Sequence, residues 1–221
     1  LDVLHCHPLG ITADVALRVR PSLGVPVVAT TSGSDVMWIL ETGDAASIPN
    51  YVKEIVVRCA SAVDLIGSVS SSTRAALGRM NAKAPIVDIP NGVAIEAFQC
   101  DRSRPLRSQL GLTDDACLIL SVGRNIPTKG YREGIAAFGR VFKASPASHY
   151  AIVGRDVSLL GDAVNQQGLT GRVHLIEQKP MSEIPAIFQS ADVFFNPSTR
   201  EGFAQVNAQA LATGLPLVVT D

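Results

Sequence analysis

The sequence predicts an α/β protein built on parallel sheets that are covered by helices on both faces. Three observations predict it. Short β-branched apolar runs alternate with amphipathic or Ala-rich stretches along most of the chain. The runs are continuously apolar, which is typical of strands buried on both faces. Finally, 47% of the 221 residues are hydrophobic, enough to form a sizeable core.

Nine strands and six helices are expected along the chain. The strands are Asp2–His5, Pro26–Thr30, Leu65–Val69, Pro85–Ile89, Cys117–Val122, His149–Val153, Val173–Ile176, Asp192–Asn196 and Leu217–Val219. The helices are Thr12–Arg20, Asn50–Cys59, Ser71–Met80, Tyr131–Ala144, Glu183–Ser190 and Phe203–Thr213. The helix at Tyr131–Ala144 has the clearest pattern, because Ile135, Phe138 and Phe142 recur at helical spacing.

One stretch, Val93–Asp115, interrupts this alternation and contains no clear strand. We therefore expect two α/β domains joined there, with a cleft between them. The predicted division is residues 1–98 for the first domain, 99–115 for the linker and 116–221 for the second domain.

Composition excludes several classes of protein. The 19 Lys and Arg balance 20 Asp and Glu, so the basic surplus of a nucleic-acid-binding protein is absent. The longest apolar runs have only five residues, which is too short to span a bilayer. No signal peptide is visible. Cys6, Cys59, Cys100 and Cys117 lack metal-binding or disulfide-framework spacing, so we expect small core residues in a cytoplasmic protein.

The first motif that indicates chemistry is Ser121-Val-Gly-Arg-Asn-Ile-Pro-Thr-Lys-Gly130. A buried strand ends at Gly123, which allows a sharp turn, and Arg124 and Lys129 follow on the loop to the next helix. Ligands of open α/β sheets bind beyond the carboxyl ends of the strands. Two cations near a helix N-terminus there suit a diphosphate. The alternative is a pair of solvated surface charges.

The second motif runs from Pro197 to Pro216. Glu201-Gly202-Phe203 follows a strand and is expected to open a helix that stops at Gly214. Helix starts expose N–H groups that can bind an anion or a sugar hydroxyl. Gln209 lies eight residues after Glu201, so both side chains can face the same side. The alternative is an acidic first turn that only complements the helix dipole.

Together these motifs identify a family. The order Gly123-Arg124, Lys129-Gly130, Val153-Gly154, Glu201-Gly202-Phe203 and Gly214-Leu-Pro216 resembles the donor-binding domain of GT-B retaining glycosyltransferases of the group 1, or family-four, kind. Three upstream segments agree with it: His5-Cys-His7, Ser68-Val-Ser-Ser-Ser72 and Pro90-Asn-Gly-Val93. The resemblance implies a GT-B fold of two Rossmann-like domains, both incomplete here. It also implies transfer of a hexose from a nucleotide-sugar donor with retention of configuration.

The resemblance also implies roles for individual residues on the donor side. Arg124 and Lys129 match the pair that holds the diphosphate leaving group next to Gly123. Glu201 matches a glutamate that contacts donor-sugar hydroxyls, so these three charged residues are the expected catalytic groups. Other expected donor contacts are the backbone of Gly202, Phe203 and Ala204, the base-binding loop Ile176–Lys179 with Ile176 and Glu177 as its contact residues, and Gln209 on the ribose.

Two positions depart from the family pattern. The second family glutamate is replaced by Gln209, whose neutral amide forms weaker hydrogen bonds to a hydroxyl. The usual His-Gly of the acceptor-side loop is replaced by Thr31–Asp35. Ser32, Gly33 and Asp35 are then the expected acceptor-side residues, together with His7. For His7 and its neighbour His5, a structural role at a strand end is the alternative.

The expected partners are a nucleotide sugar and an unidentified acceptor (a sugar, a lipid-linked glycan or a small molecule), with no nucleic acid. The resemblance implies neither a metal nor a cofactor, and it allows peripheral membrane contact. The chain looks like an internal piece of a longer enzyme, and we expect the piece alone to be inactive. Two alternatives stay open: a GT-B-type sugar-nucleotide epimerase or phosphorylase, and a binding protein that keeps the nucleotide site without turnover.

Overall fold

The computed structural model describes residues 1–37, 39, 48–99 and 103–220. These residues contain nine strands in two wholly parallel sheets. The strands are β1 (Leu4–Cys6), β2 (Val27–Thr30), β3 (Leu65–Ser68), β4 (Ile86–Asp88), β5 (Cys117–Val122), β6 (Ser148–Val153), β7 (Val173–Ile176), β8 (Val193–Asn196) and β9 (Leu217–Val219). The sheet orders are β1-β2-β3-β4 and β7-β6-β5-β8-β9. All nine strands were expected from the sequence, each within two residues of the predicted bounds.

The described helices include all six that the sequence predicts and four more. They are α1 (Ile11–Leu23), α2 (Ser34–Met37), α3 (Asn50–Ala62), α4 (Ser71–Arg79), α5 (Ile95–Gln99), α6 (Pro105–Gln109), α7 (Tyr131–Ala144), α8 (Gly161–Gln166), α9 (Ile184–Gln189) and α10 (Gln205–Thr213). The unexpected helices α2, α5, α6 and α8 have four to six residues, too few to show a helical period.

One helix start was predicted wrongly. Helix α10 begins at Gln205, not at Phe203, because the preceding Ala204 has φ 18° and ψ 63°, which lie outside the helical region. Glu201, Gly202 and Phe203 therefore form a loop between β8 and α10.

The described residues form two compact units. Unit 1 is Leu1–Asn91 with Glu201–Phe203, and unit 2 is Gly92–Arg200 with Ala204–Asp221. Each unit contains one of the two sheets.

The core of unit 1 forms around the central strands β2 and β3. Val27, Ala29 and Ile66 are fully buried there, and Ala13 of α1 and Leu77 of α4 belong to the same apolar cluster. Strand β2 is central in this sheet, because it pairs with β1 on one side and with β3 on the other.

Unit 2 has an apolar cluster on each face of its sheet. One contains Leu118, Phe188 and Phe194, and the other contains Ile135 of α7 and Tyr150 of β6. Because both faces of the sheet are covered, no residue of β5 or β6 is exposed, which explains why these two strands have the longest apolar runs among the described strands.

A buried arginine fastens α6 to the sheet of unit 2. Arg107, 4% exposed, donates to Asp192 Oδ2 at 2.8 Å and to the carbonyl oxygens of Thr113 and Ala116. The same Asp192 oxygen accepts the backbone N–H of Leu118 at 2.8 Å. A buried charge is tolerated only when it is paired in this way, so the cluster is a structural anchor.

The described cysteines are core residues, as expected. Cys6 and Cys59 are buried, Cys117 is partly buried, and burial raises the pKa of the Cys59 thiol to about 11. Cys100 lies outside the described residues. None of the helices described here has the length and apolar character needed to cross a bilayer.

Candidate functional site

The loop after β5 requires glycine at its first position. Gly123 has φ +155°, and a Cβ atom there would lie 2.8 Å from the hydroxyl oxygen of Tyr131. The same position is 3.5 Å from Cε of Lys129, the last residue of a 3₁₀ turn at Pro127–Lys129. The aliphatic part of Lys129 therefore lies beside Gly123.

The loop after β6 packs directly on the loop after β5. A Cβ atom on Gly154 would lie 1.8 Å from the carbonyl oxygen of Gly123, so only glycine fits there. The backbone N–H of Gly123 donates to Val153 at 2.9 Å, and that of Asn125 donates to Arg155 at 2.9 Å. The backbones that carry Arg124 and Arg155 are thus tied to each other.

The end of β7 supports the same loop. The carboxylate of Glu177 accepts the backbone N–H of Asp156 at 3.1 Å and that of Ser158 at 2.9 Å. These hydrogen bonds, that of Ser158 first, lower the pKa of Glu177. Glu177, which the sequence places among the donor contacts, therefore uses its carboxylate to shape the loop after β6.

A cavity of about 290 Å³ lies in unit 2 where β5, β6 and β7 end. Its described wall consists of Val122, Gly123, Arg124, Val153, Gly154, Arg155, Gln178, Lys179, Met181, Ile184, Gln205, Val206 and Gln209. Within that wall there are three cations and neither Asp nor Glu. The cavity therefore suits an anionic ligand, at the edge of the sheet where open α/β proteins bind ligands.

The first two turns of α10 complete this wall. Gln205 donates from Nε2 to the carbonyl oxygen of Gly92 at 2.7 Å. Gln209, only 8% exposed, presents its side chain to the cavity one turn further along. Three of the residues that the sequence predicts for donor binding, Gly123, Arg124 and Gln209, thus line one cavity.

The other residues that the sequence predicts for donor binding lie outside the described wall of this cavity. Lys129, Ile176, Glu177 and Ala204 belong to unit 2 but are not among the described residues of the cavity wall. Glu201, Gly202 and Phe203 group with unit 1.

Sequence reasoning missed two polar residues of the wall, Arg155 and Gln205. For Arg155 the available signal was its position, because it follows β6 just as Arg124 follows β5. Gln178 and Lys179 of the wall belong to the predicted base-binding loop.

In unit 1, three of the four expected acceptor-side residues, Ser32, Gly33 and Asp35, form a tight turn. The carboxylate of Asp35 accepts the backbone N–H groups of Leu9 at 3.0 Å, Ser32 at 2.9 Å and Gly33 at 2.9 Å. Burial nevertheless raises the pKa of Asp35, because removal of water outweighs these three bonds. Asp35 thereby fixes the loop that carries Ser32 and Gly33.

His5, in the first strand, and His7, just after it, have different surroundings. His5 Nε2 is 2.7 Å from Oγ1 of Thr30 on the neighbouring strand. His7 is exposed in the turn that follows β1. The structure thus supports the structural alternative for His5.

Unit 1 also has a cavity of its own, of about 560 Å³. Its described wall is mainly apolar and includes Leu9, Ile11, Ile39, Ile48, Val52 and Val56. Asp35 is the sole charged side chain in that described wall.

The fold and the site define a class of protein: an α/β protein of the GT-B type, with two parallel sheets. The chain belongs to the family of glycosyl transferases group 1, which residues 103–221 match. It is 27% identical over 227 residues to a D-inositol 3-phosphate glycosyltransferase of Mycobacterium leprae, covering 98% of this chain and 52% of that one. It is 24% identical over 225 residues to a GDP-mannose:cellobiosyl-diphosphopolyprenol alpha-mannosyltransferase of Xanthomonas oryzae, covering 100% of this chain and 56% of the relative.

Among solved structures, the chain is similar to Alr3699/HepE of Anabaena, crystallised in complex with UDP. The TM-score is 0.82 at 21% identity, covering 99% of this chain and 59% of that one. This likeness concerns the fold. The chain spans about half the length of the curated relatives it matches.

Proposed function

We propose that this chain carries the nucleotide-sugar site of a glycosyltransferase that moves a hexose to an acceptor with retention of configuration. The observation that supports it best is the cavity at the ends of β5, β6 and β7, whose described wall has three cations and no carboxylate. A nucleoside diphosphate has both the charge and the size for such a cavity.

Arg124 and Lys129 would bind the diphosphate. As the bond between sugar and phosphate breaks, negative charge grows on the departing diphosphate, and cations already in place lower the barrier. The structure supports this role through Gly123, because the turn at that residue brings the stem of Lys129 beside the start of the loop that carries Arg124. Neither side chain has to form a covalent bond.

The remaining roles follow the family resemblance. Gln209, in the cavity wall, would donate to or accept from the ribose hydroxyls. Glu201 would accept hydrogen bonds from the donor sugar, with backbone N–H groups of Gly202, Phe203 and Ala204 as further donors. The loop that starts at Ile176 would contact the base. On the acceptor side we assign Ser32 and Gly33, on the loop that Asp35 fixes, and the exposed His7.

One observation favours a second candidate, a protein that binds the nucleotide sugar without transferring it. The nearly buried polar side chain at the ribose position is the amide of Gln209 and not a carboxylate. The charged hydrogen bond that a glutamate would make is about twice as strong as a neutral one.

The proposal is tested by binding and by product stereochemistry, on the protein as its gene encodes it. Calorimetry should show that UDP, GDP or ADP binds at least tenfold more tightly than the corresponding nucleoside. With the matching nucleotide sugar and a panel of acceptors, proton NMR of the initial product should show the anomeric configuration of the donor. Inverted product would overturn the retention mechanism, and binding without any transfer would favour the second candidate. A protein that binds no nucleoside diphosphate would overturn both.

A further inference from the structure

Unit 2 contains a second cavity, of about 280 Å³, between α6 and α9 beside the end of β7 (the α6–α9 cavity). Its wall includes two buried apolar side chains, Leu106 of α6 and Ile187 of α9, and two partly buried ones, Ile176 and Ala186. Small-molecule sites are lined mostly by apolar side chains with a few polar groups, and their volumes begin at about 300 Å³. The α6–α9 cavity therefore suits a small ligand with an apolar body.

The polar part of this wall has one charge of each sign. Within the part of the chain that the structure describes, its charged residues are Lys179 and Glu183, and Gln109 and Ser182 are its uncharged polar residues. Lys179 Nζ and Glu183 Oε2 are 3.9 Å apart, which is longer than a hydrogen bond. Both side chains are accessible to solvent, and such surface ion pairs contribute little to stability. A ligand can therefore bind each partner at small cost.

One of these two residues also belongs to the nucleotide cavity. Lys179 lies in the walls of both cavities and is one of the three cations of the nucleotide cavity, whereas Glu183 lies in the wall of the α6–α9 cavity. A carboxylate that binds Lys179 from the α6–α9 side would offset the positive charge that Lys179 supplies on the other side. Occupation of one cavity can therefore change the affinity of the other.

We propose that the α6–α9 cavity binds a small zwitterion, an α-amino acid with a branched aliphatic side chain, and that this ligand weakens nucleotide binding in the neighbouring cavity. The ammonium group of the ligand binds Glu183, its carboxylate binds Lys179, and its side chain lies against Leu106 and Ile187. A ligand with one charge would leave one member of the ion pair unmatched, and an uncharged apolar ligand would cover both without hydrogen bonds. The effect on the nucleotide rests on the proposed function, and it is reciprocal.

The first test is calorimetry of L-leucine on the protein as its gene encodes it, with no nucleotide present. L-leucine should bind, and 4-methylpentanoate and 3-methylbutylamine, which each lack one of its charges, should bind about tenfold more weakly or worse. Glu183→Gln removes the charge that binds the ammonium group and should weaken L-leucine binding by about tenfold or more. Glu133→Gln, at an exposed position of α7, is the matched control and should leave the affinity unchanged.

The second test measures the affinity for UDP, GDP and ADP with and without saturating L-leucine. L-leucine should weaken binding of the nucleotide that binds by about fivefold or more. Glu183→Gln should abolish this effect, and Glu133→Gln should keep it.

The site is overturned if L-leucine does not bind, or if both analogues bind as tightly as L-leucine does. L-leucine binding that leaves nucleotide affinity unchanged overturns the coupling. If L-leucine binds as expected but none of the three nucleotides does, the proposed function fails and the coupling fails with it, while the site is supported. The failure of the site and the failure of the proposed function are therefore distinguishable.

Discussion

The two units share one architecture, a parallel sheet covered by helices, but their cavities differ in charge and polarity. In unit 2 the loops after β5, β6 and β7 surround a cavity with cations and glutamines, and its described wall has no carboxylate. In unit 1 the loops after β1 and β2 border an apolar cavity, whose sole charged wall residue in the described part of the chain is Asp35. Both sheets are parallel and covered by helices, so the sheet itself does not determine what binds.

The backbones of these loops are also held in different ways. In unit 2 the loops after β5 and β6 interlock through glycines, since Gly154 leaves no space for a side chain against Gly123. In unit 1 one carboxylate, that of Asp35, accepts three backbone N–H groups. The loops of each unit can therefore be disrupted by a different kind of substitution.

The largest effect is expected for Gly154→Ala. Its methyl group would lie 1.8 Å from the carbonyl oxygen of Gly123, so one of the two loops must move. We expect the free energy of unfolding to fall by about 3 kcal/mol and nucleotide binding to be lost. Denaturant titration and calorimetry measure the two effects. Gly161→Ala is the matched control, because a Cβ atom at that helical position of α8 meets nothing within 4 Å, and its stability should stay equal or rise by about 0.5 kcal/mol.

The second prediction concerns the cations of unit 2. Arg124→Met and Lys129→Met should each reduce the affinity for a nucleoside diphosphate by about 10- to 100-fold, because a hydrogen bond to a charged group contributes about 1.5–3 kcal/mol. The affinity for the nucleoside should change less than threefold. Calorimetry with both ligands is the measurement. Unchanged diphosphate affinity in both variants would identify these residues as solvated surface charges.

The strands and part of the cavity wall were predictable from the sequence, whereas the short helices were not. All nine strands were predictable, because a continuous apolar run is a direct consequence of burial on both faces. The position of Gly123 and Arg124 in a cavity wall was predictable, because the loop after a buried strand is where such sheets bind ligands. Helix α6 was not predictable, because five residues show no period, and its anchor, Arg107, pairs with Asp192, 85 residues away.

The roles of carboxylates were the least predictable feature. Glu177 and Asp35 both stood among the expected ligand contacts, yet each accepts backbone N–H groups of nearby loops. A sequence shows that a carboxylate follows a strand but not which N–H groups the chain brings to it. The start of α10 was misjudged for a similar reason, since the non-helical conformation of Ala204 leaves no trace in the residue types.

The third prediction disrupts the loop of unit 1 that carries Ser32 and Gly33. Asp35→Ala removes the acceptor of three backbone N–H groups and should lower the free energy of unfolding by about 1–3 kcal/mol. Nucleoside diphosphate affinity, measured on the folded variant, should stay within threefold of that of the parent protein. Asp2→Ala, at an exposed position of the same unit, is the control for loss of a carboxylate. A large loss of nucleotide affinity in Asp35→Ala would contradict the separation of roles between the two units.

The smallest effect is expected from a histidine pair in unit 2. His149 Nδ1 lies 3.0 Å from His174 Nε2 on the neighbouring strand, and Arg172 donates to Nε2 of His149 at 3.0 Å. Burial, and then the charges of Arg172 and Arg107, lower the pKa of His149. The pKa of His174 is also lowered, first by burial and then by His149 and Arg172.

Because these pKa values are lower in the folded state, the unfolded chain binds more protons once the pH falls below about 6.5. The contribution of these two neutral rings to stability is therefore fully present above pH 6.5, and it should decrease as the pH falls below that value. Both rings are partly exposed, so the loss is expected to be below about 1 kcal/mol. Urea titrations from pH 8 to pH 5 should show this decrease in the parent protein and a flatter profile in His174→Leu. His7→Leu, at an exposed turn of unit 1, should keep the profile of the parent protein. If His174→Leu keeps it too, the pair does not couple protonation to folding, and the acid sensitivity of unit 2 has another origin.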